Sequence, residues 1–152
     1  MLRNGSRPGG RPARILLVED SVADHKLVEM ALAESGGDTE LLHADDGAAA
    51  LDVLDEIVAG RHPRPDVVLL DLNMPKASGV DVLRRVKGDP VLRTIPVVVF
   101  STSRSDVDVS VAYACGANAY VVKPLDFEGL MQAVCSIEDF YTSVAHLPTN
   151  AA

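Results

Sequence analysis

Five side chains in this sequence carry chemistry that none of them could perform alone. Glu19 and Asp20 are adjacent carboxylates, Asp71 is a third, Ser101 offers a hydroxyl and Lys123 an ammonium. Three carboxylates brought to one place repel each other, and their pKa values rise unless a cation lies among them. An all-oxygen set with few protein ligands and room for water suits Mg²⁺ better than Ca²⁺. The lysine adds a second positive charge that can hold a phosphoryl oxygen. A carboxylate beside Mg²⁺ and a lysine can act as a nucleophile and form an acyl phosphate, to which the hydroxyl can then donate. Each residue also has a plainer use. Glu19 and Asp20 suit a helix N-terminus, and Asp71 suits a turn before Asn73 and Pro75. Ser101 could bond its own backbone, and Lys123 could be a solvated loop residue. The reactive reading rests on whether the chain brings all five to one end of successive elements.

The hydrophobic pattern says that it does. Ile15–Val18, Val67–Leu70 and the run 96–100 are short continuous apolar stretches, the mark of strands covered on both faces. Residues 39–43 form a weaker strand and 119–122 a fifth. Between them lie stretches of helical spacing: Val22–Glu34, stopped by Ser35-Gly36-Gly37; a helix capped by Asp45 or Asp46 and running to Val58; Gly79–Lys87; Ser105–Ala114, ended by Gly116; and Leu125 to about Tyr141. Parallel strands need crossover helices, and right-handed crossovers place helices on both faces of one sheet. The predicted fold is therefore α/β, a doubly wound five-stranded parallel sheet. In such a sheet function gathers at the carboxyl ends of the strands. Strand one ends at Glu19-Asp20, strand three at Asp71, strand four at Ser101-Thr102 and strand five at Lys123-Pro124. Strand two delivers only His43 and lies outside the set.

Composition narrows the function classes. Fourteen basic against 22 acidic side chains give a net charge of −8, which provides no broad attraction for nucleic acid or an anionic membrane. No apolar stretch approaches a membrane span, and residues 1–14 lack the apolar segment of a signal peptide, so the expected location is cytoplasmic. Cys115 and Cys135 show neither CxxC nor zinc spacing and read as reduced core residues. The four histidines show no metal spacing, and His25 is expected at the surface or facing a partner. Residues 1–13 read as a flexible N-terminal arm, 14–141 as the folded domain and 142–152 as a C-terminal tail.

Taken in order, Ile15-Leu16-Leu17-Val18-Glu19-Asp20, Val68-Leu69-Leu70-Asp71-Leu72-Asn73-Met74-Pro75, Gly79, Pro96-Val97-Val98-Val99-Phe100-Ser101, Gly116-Ala117 and Tyr120-Val121-Val122-Lys123-Pro124 resemble the receiver domain of bacterial response regulators across residues 14–141. The resemblance implies a flavodoxin-like (βα)5 three-layer sandwich of the CheY-like kind. It implies that Asp71 is the phosphoacceptor, that Glu19 and Asp20 hold Mg²⁺ with Glu19 acting through water, and that the Asn73 backbone carbonyl completes the metal shell. It implies that Ser101 is the switch hydroxyl, Lys123 the phosphate-binding lysine, Tyr120 the switch aromatic that turns inward, and Lys123–Pro124 a cis bond. The switch hydroxyl is Ser101 where threonine is commoner, which restrains that side chain less. Thr102 stands where a small residue is common and is expected to narrow access to the acceptor. Asn73 and Ser103 flank the site and are expected to govern phosphoryl turnover by positioning water.

The stretch from Glu19 to His25, the 57–65 region and the tail from Ile137 to Pro148 also resemble single-domain regulators partnered with phytochrome histidine kinases. That subgroup implies a sensor histidine kinase as phosphodonor and a homodimer through the fourth and fifth helical faces. Leu130, Val134, Ile137, Tyr141 and Val144 are expected on the core-facing stripe of the last helix. About eleven residues follow that helix, too few for an output domain, so the message is expected to leave through the domain's own surface. An aspartyl-nucleophile phosphatase would need a second acid two residues after Asp71, where Asn73 stands. A nucleotide-binding fold would need glycines after strand one, where Glu19-Asp20-Ser21 would repel phosphate. A receiver-fold binding module that works without phosphorylation would not need the acidic set. The expectation is a signalling protein rather than an enzyme, with phosphoryl transfer and hydrolysis at its own Asp71.

Overall fold

The computed structural model describes residues 11–74 and 76–148. Five parallel strands, β1 (Arg14–Val18), β2 (Glu40–Ala44), β3 (Val67–Leu70), β4 (Val97–Ser101) and β5 (Ala119–Val122), form one sheet in the order β2-β1-β3-β4-β5. The helices α1 (Val22–Glu34), α2 (Gly47–Val58), α3 (Gly79–Lys87), α4 (Asp106–Ala114) and α5 (Phe127–Asp139) alternate with them. The order reverses after β2-β1, so the crevice between β1 and β3 is the topological switch point of a doubly wound sheet.

Each strand feeds two cores because its side chains alternate between faces. Leu16, Val18, Val68, Leu70, Val97 and Val99 pack with Ala50 and Leu54 of α2, Val82, Leu83 and Val86 of α3 and Ala112 of α4. Ile15, Leu17, Val67, Leu69 and Val98 pack with Val28, Ala31 and Leu32 of α1 and Leu130, Val134 and Ile137 of α5. The expected three-layer (βα)5 sandwich is therefore the observed one. Burying each of these Val, Leu and Ile side chains stabilises the fold by about 1.5–3 kcal/mol, enough to hold polar groups rigidly at the sheet's edge.

All five helices start at that edge, and each start is capped by a serine or aspartate. Ser21, Asp46, Ser78, Ser105 and Asp126 accept from the backbone N–H groups of Asp24, Ala49, Asp81, Asp108 and Gly129. Ser78 and Asp81 form a reciprocal capping box.

The elements lie close to the sequence expectation, with instructive differences. Ser101 is the last residue of β4 rather than the residue after it. The last helix does not run regularly to Tyr141: at Phe140 it becomes a π-helical segment, Phe140–Val144, closed by Ala145 N–H donating to the Phe140 carbonyl at 2.6 Å. The wider turn shifts the helical phase. Val144, expected on the core stripe, is consequently 67% exposed, and Thr142 turns inward instead, donating to the Glu138 carbonyl at 2.7 Å.

At the other end, Arg11 pairs with Asp66 at 2.9 Å and Ala13 is fully buried, so the chain is already packed there. Residues 1–10 of the expected arm and 149–152 of the expected tail lie outside the described residues. Both cysteines are partly buried, and the Cys135 thiol donates to the Ala31 carbonyl at 3.5 Å. No helix among the described residues is long and apolar enough to cross a membrane.

Candidate functional site

The strand ends deliver what the spacing promised. Asp71 N–H donates to the Val18 carbonyl, which locks the end of β3 to the end of β1. Glu19, Asp20 and Asp71 each offer a carboxylate oxygen, all within 4.8 Å of one another. Gly79 makes the approach of the β3–α3 loop possible: a Cβ there would lie 2.3 Å from the Asp71 carbonyl oxygen and 2.5 Å from Leu72 Cα. From the other side, Lys123 Nζ reaches Glu19 Oε2 at 2.6 Å and stands 3.8 Å from Asp71 Oδ2. Its backbone N–H donates to the Ser101 carbonyl, which ties β5 to β4 at the same level.

Burial sets the electrostatics. Glu19 is 3% exposed and Lys123 5%, whereas Asp20 is open to solvent. Burial pushes the Asp71 carboxyl above its ordinary range; Lys123 and the Asn73 amide only partly offset it, and Asp20 adds repulsion. Burial likewise pushes Glu19 up against the opposing pull of Lys123. For Lys123 burial favours the neutral amine, but bonds to Glu19 and Asp24 and the charge of Asp71 outweigh it, so its pKa is raised and it stays an ammonium. The crevice thus carries more negative charge than its lysine neutralises.

A small divalent cation fits that deficit. Octahedral Mg²⁺ holds oxygens at about 2.0–2.1 Å and keeps several waters, so carboxylate oxygens up to 4.8 Å apart would draw closer around the ion or reach it through water. Both Glu19 oxygens are already used: Oε1 accepts from Ser21 N–H at 3.0 Å and Oε2 from Lys123. Glu19 therefore suits contact through water, and the exposed Asp20 suits direct ligation. Asn73 is brought close through its amide, which donates to Asp71 Oδ1 at 3.2 Å.

Ser101 and Tyr120 are linked through Ser103. Ser101, fully buried, accepts at Oγ from Ser103 N–H at 3.2 Å. The Tyr120 hydroxyl donates to the Ser103 carbonyl at 2.9 Å, and the side chain is half-buried against the core under α2, α3 and α4. Thr102 is exposed. Ser103 was expected to help position water, but its hydroxyl donates to Asp108 at 2.6 Å and accepts from Ser105 N–H. Those bonds tie the loop to the first turn of α4 and commit its proton away from Asp71.

The cis bond implied by the family does not occur. No cis peptide is present among the described residues, so Lys123–Pro124 is trans. The intrinsic preference for trans, about 0.5–1 kcal/mol, is therefore not overridden here, and Lys123 reaches Glu19 from the trans bond.

Two neighbours of the site escaped sequence reasoning. Asp24 Oδ2 binds Lys123 at 3.0 Å. A third acid within six residues, starting at Glu19, was the available signal, but only the turn from β1 into α1 points it back at the crevice. His43, set aside with β2, bonds the Glu19 carbonyl through Nε2 at 2.8 Å, and its ring stacks on His25 at 3.7 Å. His25 also pairs with Glu29.

The family profile described as the response regulator receiver domain matches residues 15–135. The chain belongs to the response regulator receiver family. This receiver is 42% identical over 140 residues to response regulator Rcp1 of Synechocystis sp. (strain ATCC 27184 / PCC 6803 / Kazusa), covering 90% of this chain and 94% of that protein. The crystal structure of the Mn(2+)-bound form of Rcp1 superposes with a TM-score of 0.84, covering 91% of this chain and all of that one. The phosphorylated cyanobacterial phytochrome response regulator RcpA is 41% identical, with a TM-score of 0.85, covering 90% of this chain and 99% of that one. The receiver family is a signalling family, and this chain is related to phytochrome response regulators within it.

Proposed function

We propose that this receiver is a phosphoryl-accepting switch of a two-component system, with Asp71 as acceptor and a sensor histidine kinase of the phytochrome type as donor. The observation that carries the reading is the convergence on Asp71, at the end of β3, of Glu19 and Asp20 from the end of β1 and Lys123 from the end of β5. One carboxylate oxygen of Asp71 attacks the phosphorus of a phosphohistidine. The N–P bond breaks, the imidazole leaves as the neutral ring after taking up a proton, and an acyl phosphate remains. Asn73 N–H orients the attacking carboxylate. Lys123 holds a phosphoryl oxygen, and Ser101 donates its hydroxyl proton to another while still accepting from Ser103. Mg²⁺, held by Asp20, Asp71 and the Asn73 carbonyl with Glu19 through water, would neutralise charge on the transferring group. Hydrolysis of the acyl phosphate then resets the switch with release of inorganic phosphate.

The output in this reading is a change of partner surface at α4, β5 and α5, including pairing with a second copy of the chain. A groove of about 400 Å³ lies there between β4, β5 and α5, lined by Val98, Val121, Ile137, Phe140 and Tyr141 among others. Val107, Val111 and Tyr113 are exposed on α4, the helix that packs against β5. The receiver is taken to act in the cytoplasm, where such kinases present their phosphohistidine.

The test is phosphotransfer. With Mg²⁺ and a phosphorylated phytochrome-type kinase, label moves to the wild-type chain and not to Asp71→Asn. Failure of every such kinase to label the wild type, or undiminished labelling of Asp71→Asn, overturns the proposal.

A further inference from the structure

Lys123 is held by a carboxylate that phosphoryl transfer to Asp71 does not require. Asp24 belongs to the first turn of α1 rather than to a strand end, yet its Oδ2 lies 3.0 Å from Lys123 Nζ. An ammonium has three protons to donate. One goes to Glu19 at 2.6 Å and one to Asp24, while Asp71 Oδ2, at 3.8 Å, is beyond hydrogen-bond reach. In this state the lysine is drawn toward α1 and away from the nucleophile.

The two carboxylates that hold it are unequal. Glu19 is 3% exposed, and releasing Lys123 from it would leave a buried charge without its partner. Asp24 is 33% exposed and is rehydrated with little penalty when its partner leaves. A phosphoryl group on Asp71 brings new negative charge and three acceptor oxygens within reach of the same ammonium. The third ammonium proton remains available, but Nζ stands 3.8 Å from Asp71 Oδ2, so the lysine must swing toward the phosphoryl group to reach its oxygens, and of its two contacts Asp24 is the one whose loss is tolerated.

We propose that Asp24 is a positioning residue that competes with the phosphoryl group on Asp71 for Lys123, and so sets how readily the phosphorylated state forms and persists. The proposal rests on the phosphoryl-switch reading above and adds to it a residue with a braking role. The exchange is electrostatic and involves no covalent step. The helix start does not depend on the Asp24 side chain as a cap, since the Ser21 hydroxyl accepts from the Asp24 backbone N–H.

The full chain, at saturating Mg²⁺, is titrated with beryllofluoride, a mimic of an aspartate-bound phosphoryl group. Binding is followed by the amide NMR signals of Ser101 and Ser103. Asp24→Asn is expected to tighten binding about twofold to fivefold, the range set by a partly exposed ion pair. Asp24→Glu stays within about twofold of wild type. Glu29→Gln removes the same charge from the same helix, where the carboxylate meets His25 rather than Lys123, and shifts binding less than Asp24→Asn. Damage to α1 would weaken binding, so the sign of the change separates competition from misfolding. Unchanged or weaker binding by Asp24→Asn, or equal tightening by Glu29→Gln, overturns the proposal and leaves the switch reading standing. Failure of the wild type to bind beryllofluoride overturns both.

Discussion

The acidic crevice and the face of α4 sit at the same edge of the sheet and are built in opposite ways. In the crevice the charged groups follow directly on the ends of β1, β3 and β5, and Glu19 and Lys123 are almost wholly buried. On α4 only Ala112 is buried, while Val107 is 70% exposed and Tyr113 49%. One region is held by cores on both faces of the sheet; the other rests on one small side chain and a few polar bonds through Ser103 and Tyr120. The contrast suits a switch. A charge that appears at a rigid site cannot relax by moving the strands, so the adjustment falls on the element with least packing to lose.

The largest effect that would expose this difference is loss of the crevice lysine. Lys123→Ala leaves Glu19 buried without its cation, and removing one partner of a buried pair costs about 3–5 kcal/mol. At this chain length that lowers the melting temperature by roughly 10 °C, and adding Glu19→Gln recovers part of it. A loss under about 1 kcal/mol in chemical denaturation would mean that the crevice is no more rigidly built than α4.

Next comes the linked dependence on pH and metal. Burial raises the Asp71 carboxyl above its unfolded value. Such a group holds its proton more tightly folded than unfolded. Its stabilising contribution is therefore present at acid pH and is lost as the pH climbs from the ordinary carboxylate range through the raised value. Without metal, Asp71→Asn and wild type should be similar in stability at acid pH, and the variant should be the more stable at neutral pH. Excess Mg²⁺ reverses the order: at a concentration 100 times its Kd it adds about 2.7 kcal/mol to the wild type and far less to the variant. Thermal melts with and without Mg²⁺ check both signs; a metal-free variant less stable than wild type at neutral pH contradicts the account.

The smallest effect belongs to the loose side. Ser103→Ala removes the bond to Asp108, worth about 1 kcal/mol. Hydrogen exchange should quicken about fivefold in the first turn of α4 and stay unchanged in β1 and β3. Exchange that quickens equally in the strands would show that the two regions unfold as one.

Much of this was legible in the sequence because the signals are local. The apolar runs at Ile15–Val18 and Val67–Leu70 announce buried strands, the Asp45-Asp46 pair announces the start of α2, and parallel pairing then leaves few topologies. Val144 was misplaced because nothing local marks the change to π-helical winding at Phe140, which moves it off the buried stripe.

The candidate site divides along the same line. That Glu19, Asp20, Asp71, Ser101 and Lys123 share one edge follows from the sequence alone, since each lies at the carboxyl end of its strand and parallel strands end together. Which of them touch was decided only by the tertiary structure. Lys123 lies 104 residues from Glu19 and 99 from Asp24 along the chain, and it prefers both to Asp71 because its reach depends on how α1 leaves β1. Asp24, His43 and the Ser103–Asp108 bond took their places for the same reason: a side chain's partner is set by the direction of its backbone in space, and no spacing in the sequence records that direction.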